Sequence, residues 1–270
     1  MLLKSTLLSC LYLASTSLAW DAPSYSGWSR KWQDNFAGAA GTLPDTSRWN
    51  IITGYLNVNA ELEVYTSSTR NVQRSGGSTV QLVPWRDASA QKAGKKTRVE
   101  AQLRFGDSPI GNKQGIWPAF WMLGNALRTG GSWPACGELD IMESINGQLT
   151  GYGTAHCDVY PGGICNEGTG IGGSIGIPDQ GWHTWRIDIN RAKSSWQEET
   201  ITWFMDGRQF HQITGSRIGN QAVWNTLAHS PLYFIMNVAV GGTWPGYPNG
   251  NTADGYGSML EVAYVAHYTT

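Results

Sequence analysis

Three carboxylic acids crowd a single apolar stretch of the chain: in GELDIMES, residues 137–144, Glu138, Asp140 and Glu143 are interleaved with Leu139, Ile141 and Met142. Two carboxyl groups facing one reacting bond can divide the work, one as nucleophile and one as proton donor and acceptor. A short acid between them can orient one neighbour by hydrogen bonding and keep a proton on the other by like-charge repulsion. The residue types therefore suggest acid/base and nucleophilic chemistry, provided that all three point the same way.

The spacing decides whether they can. A helix advances about 100° per residue and would turn Glu138 away from the other two acids. On a regular strand Glu138 and Asp140 share a face, while Glu143 has the wrong parity and would enter the core, where an unpaired carboxylate costs about 2–7 kcal/mol or more. One extra residue, a β-bulge at Ile141 or Met142, restores the parity and aligns all three. The two glutamates then act as neighbours four positions apart, with Cα atoms about 12–13 Å from each other at ~3.3 Å per residue. Inward-leaning side chains bring the carboxyls toward the roughly 5–5.5 Å separation used in retaining cleavage of a glycosidic bond.

Such a strand needs a sheet around it, and the chain supplies one. STVQLV (78–83), TRVEAQLRF (97–105), TWRIDIN (184–190), ETITWFMDGRQFHQI (199–213), PLYFIMNVAV (231–240) and MLEVAYVAHY (259–268) are rich in β-branched and aromatic residues, and several alternate at period two. Asp206-Gly207 between two such runs is a tight-hairpin signal. Only RIGNQAVWNTL (217–227) reads as helical. No repeat, low-complexity linker or charge block interrupts the 270 residues, so the expectation is all-β, one sandwich with long surface loops.

Composition narrows the partners. Nineteen basic and twenty acidic residues leave a formal charge of -1 without runs of either sign, which argues against a nucleic acid or an anionic membrane as partner. Fourteen tryptophans against six phenylalanines supply many flat, amphipathic rings. Residues 1–19 carry Lys4, an apolar run from Leu7 to Leu13 and small residues up to Ala19, the pattern of a secretory signal, with 20–270 as the mature domain. Cys10 leaves with that segment. In an oxidising compartment Cys157 and Cys165, which bracket a Pro161-Gly162-Gly163 turn, are the favoured disulfide, with Cys136 a buried free thiol; pairing of Cys136 with either remains open.

ELDIME resembles the bulged Glu-x-Asp-x-x-Glu signature of glycoside hydrolase family 16, in the laminarinase-like, fungal-type endo-1,3(4)-β-glucanase version. NAELEVYT (59–66), GIWPAFWMLG (115–124), WPACGELDIMES (133–144), GTAHC (153–157), GWHTW (181–185), ITWFMDG (201–207) and FIMNVAVGGTWPG (234–246) look like further segments of that family, in its order. The resemblance implies a concanavalin-like β-jelly-roll sandwich of two antiparallel sheets with a concave substrate cleft. It implies Glu138 as nucleophile, Asp140 as assisting acid and Glu143 as general acid/base. His156 resembles a family histidine near the scissile bond; Trp117, Trp121 and Trp133 match cleft-bordering aromatics. Asn59 and Glu61 match polar positions in a flanking loop, and Trp244 matches the tryptophan of the GGTWPG loop. Trp28, Trp32, Trp49, Trp196 and Trp203 carry no motif and are expected to be structural.

One departure concerns metal. Family members often end in Val-Asp-Tyr-Val, whose aspartate helps hold a calcium ion on the convex side, whereas this chain reads VAYV with Ala263 there. No metal and no cofactor is expected to be required, and a weak backbone-ligated calcium stays open. A lectin on the same fold would have no use for the acid row, and a zinc site would call for more His or Cys ligands. The expectation is a secreted, monomeric, retaining endo-β-glucanase acting on β-1,3-linked or mixed-linkage glucan, with transglycosylation and galactan cleavage as its nearest alternatives.

Overall fold

The computed structural model describes residues 20–51, 53, 67, 69, 72–82, 85–90 and 95–270. The signal-like segment 1–19, and Asn59 and Glu61, lie outside the described residues. In chain order the strands are β1 (Ser29–Asp34), β2 (Gln73–Arg74), β3 (Val80–Leu82), β4 (Trp85–Ala90), β5 (Lys96–Phe105), β6 (Ile116–Gly124), β7 (Glu138–Glu143), β8 (Thr150–His156), β9 (Ile171–Gly176), β10 (His183–Asn190), β11 (Thr200–Met205) and β12 (Arg208–Thr214). Two short helices, α1 (Gly215–Ile218) and α2 (Gln221–Ala228), precede β13 (Leu232–Val240) and β14 (Leu260–Thr269).

Two antiparallel sheets face each other. The larger runs β12-β11-β10-β5-β14-β3-β2, with β1 also paired to β14; the smaller runs β4-β13-β6-β7-β8-β9. Alternation governs the larger sheet: along β10, His183, Trp185, Ile187 and Ile189 are buried while the residues between them are half-buried. Asp206 and Gly207, at φ 48° and 78°, make the tight turn between β11 and β12, as their types require. The helical stretch is split. Gly219, at φ 70°, ends α1, and the Asn220 side chain accepts from the backbone N–H groups of Ala222 and Val223 to start α2.

The bulge lies where the acid spacing demands it. Toward β6, Met142 stands opposite Phe120 and Asp140 opposite Trp121, so Ile141 is the inserted residue. Toward β8, Asp140 pairs with Thr154 and Glu143 with Tyr152, so Ile141 and Met142 together span the position of Gly153. Leu139, Ile141 and Met142 are all fully buried in the main core, and the three acids occupy the opposite face of the strand.

A bulge interrupts the ladder of backbone hydrogen bonds, and the facing sheet repairs it. Trp203 on β11 reaches across the core and donates its indole N–H to the Asp140 carbonyl at 2.6 Å. Two glycines on β8 make room. A Cβ at Gly153 would meet Trp203 Cδ1 at 2.5 Å, and one at Gly151 would meet Trp185 Cη2 at 2.1 Å. The glycines in TGYGTAH thus let two large rings pack against the sheet beside the acid strand.

On the outer face of the larger sheet, Ala263 sits at a register shift of β14 against β5 and is buried among Ala22, Tyr264, Ala266 and Tyr268. Beside it the buried Glu100 carboxylate accepts from the hydroxyls of Tyr25 and Tyr264. An aliphatic methyl group thus stands where the family aspartate was expected, and the nearby carboxylate is tied to two phenols. Replacing Trp203 with Phe should orphan the Asp140 carbonyl and leave a small cavity, costing about 2–4 kcal/mol in urea unfolding. A loss below about 0.5 kcal/mol would show that the bulge needs no support from the facing sheet.

Candidate active site

Each outer acid of the row is held by one indole. The Trp133 N–H donates to Glu138 Oε2 at 3.1 Å, and the Trp117 N–H donates to Glu143 Oε1 at 2.9 Å. Trp117 comes from β6, and Trp133 from the turn that leads into β7. Cross-strand pairing brings His156 opposite Glu138. Its Nε2 lies 3.3 Å from Asp140 Oδ2 and its Nδ1 lies 2.7 Å from Glu167 Oε2. Asp140 is only 3% exposed, and its Oδ2 has no hydrogen-bond donor among the described groups beyond that ionic contact with His156.

Burial and mutual repulsion set the charges. Burial, then the Asp140 carboxylate, push the Glu143 carboxyl up to about 8, against the opposing Trp117 hydrogen bond and the His156 charge. Glu138 is raised well above the ordinary carboxylate range by burial, Asp140 and Glu143, while His156 and the Trp133 N–H favour its ionised form. For His156 burial acts downward, but Asp140, Glu167 and Glu138 outweigh it and lift the imidazolium to about 11. Glu138 and Glu143 are thus both held toward their protonated forms, beside a histidine held toward its charged form.

The tryptophans expected at the site divide by role. Trp117 packs edge-on against Trp244, and Trp244 against Tyr152, building an aromatic corner beside Glu143. At the Glu138 end the exposed Trp133 ring lies 5.8 Å from the His156 ring and 6.1 Å from that of Tyr160. Trp121 is opposite Asp140 on the same face, but its N–H is held by Asn237 and its ring packs on Leu123, Cys136 and Tyr233. Cys157 and Cys165 form the disulfide, and Cys136 is free and buried, its thiol pushed up to about 11 by burial and by Glu138.

Sequence reasoning missed four contributors. Asn237, Tyr152 and Tyr160 sit in family-like or loop segments without a distinguishing neighbour. Glu167 follows the disulfide by two residues in CNEG, and nothing in that spacing signals that it reaches His156. Ligand-type atoms of Glu138, Asp140 and His156 do lie within 4.8 Å of one another. Both nitrogens of His156 already face carboxylates, Nδ1 held by Glu167 at 2.7 Å and Nε2 lying 3.3 Å from Asp140, which is the geometry of a charge-paired imidazole. The donor set suits an ion pair and not a cation.

A two-sheet jelly roll with a carboxylate row flanked by indoles is the architecture of a sugar-cleaving sandwich, and comparison places it further. The sequence pattern of Glycosyl hydrolases family 16 matches residues 63–265, and the chain belongs to that family. It is 33% identical over 279 residues to the glucan endo-1,3-beta-glucosidase A1 of Niallia circulans, covering 91% of this chain and 38% of that protein. It is 31% identical over 255 residues to the beta-glucanase of Rhodothermus marinus, covering 89% and 85%. Its structure matches the endo-1,3-beta-glucanase of Streptomyces sioyaensis with a TM-score of 0.83 at 36% identity, over 92% of this chain and 99% of that one. The fold and the glycoside hydrolase class expected from the sequence both hold.

Trp117 provides a test of the electrostatics. Its hydrogen bond favours the Glu143 carboxylate, so Trp117→Phe should raise the Glu143 pKa from about 8 and carry the alkaline limb of kcat/KM to higher pH. The maximum should fall about tenfold or more, as the carboxyl loses its fixed orientation. An alkaline limb that stays in place would detach Glu143 from the pH dependence.

Proposed function

We propose that this chain is a retaining, endo-acting β-glucanase that hydrolyses internal β-1,3 bonds, or mixed β-1,3/1,4 bonds, of an uncharged glucan. The observation that carries this reading is the row of three acids on one face of β7, with an indole N–H fixed on each outer member. The names of the similar proteins support glucan as the substrate class.

In the first step the Glu138 carboxylate attacks the anomeric carbon as the glycosidic C–O bond breaks, and Glu143 gives its proton to the departing oxygen. In the second, the Glu143 carboxylate takes a proton from water, whose oxygen displaces Glu138 from the anomeric carbon. Which glutamate holds the proton follows from position. His156 is the cross-strand partner of Glu138, so the imidazolium favours a negative charge on Glu138, while Glu143 lies farther along the strand beside apolar rings. Asp140, between the two glutamates and facing the His156 Nε2 at 3.3 Å, keeps that ring beside the nucleophile and adds the negative charge that disfavours ionisation of Glu143. Trp133, Trp117 and Trp244 present ring faces and edges suited to pyranose rings on either side of the scissile bond. Residues 20–270 constitute the catalytic domain in this reading, exported behind residues 1–19 and working as a monomer; no helix among the described residues is long and apolar enough to cross a membrane.

Cleavage of laminarin, curdlan, lichenan and agarose, followed by product length, tests the substrate assignment. Internal cuts in laminarin or lichenan are expected; cleavage of the galactan alone would transfer the same chemistry to another sugar. Two variants test the roles. Glu138→Ala should abolish hydrolysis yet accept an α-glycosyl fluoride as donor. Glu143→Ala should still process an activated aryl glycoside, with azide giving a β-glycosyl azide; azide rescue of the Glu138 variant to an α-product would reverse the two assignments.

A further inference from the structure

The loop that follows β8 is closed twice. Cys157–Cys165 joins its base, and Gly162 and Glu167 exchange backbone hydrogen bonds across it. These closures bury the Glu167 side chain completely, between two donors. Oε1 accepts the Cys157 backbone N–H at 2.8 Å, and Oε2 lies 2.7 Å from His156 Nδ1. Two converging donors call for two acceptor oxygens, which a carboxylate has and an amide lacks. Among the described residues, the charged groups that act on the ring are acids: Asp140 and Glu167 in contact with it, and Glu138 nearby on β7.

We propose that Glu167 is a positioning residue, which acts through His156 by fixing the ring's orientation and its positive charge against Asp140 and Glu138, and that the disulfide loop holds it in place. The idea rests on the assignment of Glu138 as the ionised nucleophile, and it assigns to the loop a task beyond wall-building. With its Nδ1–H held by Glu167, the ring cannot flip, and its Nε2–H stays aimed at Asp140. Three carboxylates can then share one face because a cation is anchored underneath. Without Glu167, only the row itself would support the charge on His156, and the ring would lose the partner that sets its angle.

The direct readout is the ring. Imidazole nitrogen and carbon-bound proton shifts of His156, assigned by their loss in His156→Gln, should show no titration between pH 5 and 9 in the wild-type protein. In Glu167→Gln the midpoint should fall by about 3 units or more and enter that window. Once that midpoint lies below that of Glu143, whose acid form sets the alkaline limb of kcat/KM, loss of the positive charge on His156 should carry the limb to lower pH, with kcat carrying the loss and KM changing little. Mild reduction of the disulfide in the wild-type protein should move the same resonances in the same direction, which keeps the test open if Glu167→Gln does not fold. A wild-type His156 that titrates near neutrality overturns the proposal. So does a Glu167→Gln protein that melts earlier but keeps the His156 midpoint and the pH profile, since Glu167 would then be structural only. The shifts are read without substrate, so they stand whether or not β-glucan proves to be the polymer cleaved.

Discussion

One hydrogen bond underlies the chemistry of this molecule: the Trp203 indole donating to the Asp140 carbonyl from the opposite sheet. The acid row needs an irregular strand, and an irregular strand leaves a buried peptide group without its ladder partner. Meeting that need from across the core ties the acid-bearing face to the packing face. The same contact accounts for Gly153, which lets the ring approach, and for the burial of Ile141 and Met142, whose side chains fill the space beside it. Function and folding meet in those few residues, because the parity shift that exposes Glu143 is the one that places two consecutive apolar residues inward.

The row is also an electrostatic problem with a local answer. Buried carboxylates side by side resist ionisation, and burial with mutual repulsion raises both glutamates. A single imidazolium opposes this, and it stands at one end of the row, across from Glu138. The gradient that results gives chemically identical side chains different electrostatic surroundings. The indoles refine it: each fixes one carboxyl rotamer, and each favours the charged form of the acid that it touches.

How much of this could be read beforehand depended on how local the signal was. The two-then-three spacing of the acids revealed the bulge, because strand parity admits no other alignment. Asp206-Gly207 revealed its turn, and the Pro161-Gly162-Gly163 sequence revealed a loop tight enough for a disulfide. Trp203 looked like one more strand tryptophan, since its partner is a backbone carbonyl 63 residues away. Glu167 was silent for a similar reason: an acid in a glycine-rich loop normally points to water, and only the folded loop turns it inward. The break at Gly219 was legible in principle, and the helical pattern on both sides of it obscured the glycine's punctuation. The expected carbohydrate contacts of Asn59 and Glu61 fall outside the described residues.

The side chains that hold the acid carboxyls, directly or through His156, are unevenly distributed along the chain. Trp117, Trp133, His156 and Glu167 all fall within one run of sequence that includes β6, β7, β8 and the disulfide loop. Trp244, at the far end of the aromatic corner, comes from a separate loop after β13. The immediate surroundings of the carboxyls are therefore supplied mostly by one stretch of sequence, with single rings arriving from elsewhere. That stretch does not stand alone, because the bulge that aligns its acids takes a hydrogen bond from the Trp203 indole in the facing sheet. The site is nearly contiguous along the chain, yet in space it draws on both sheets of the sandwich.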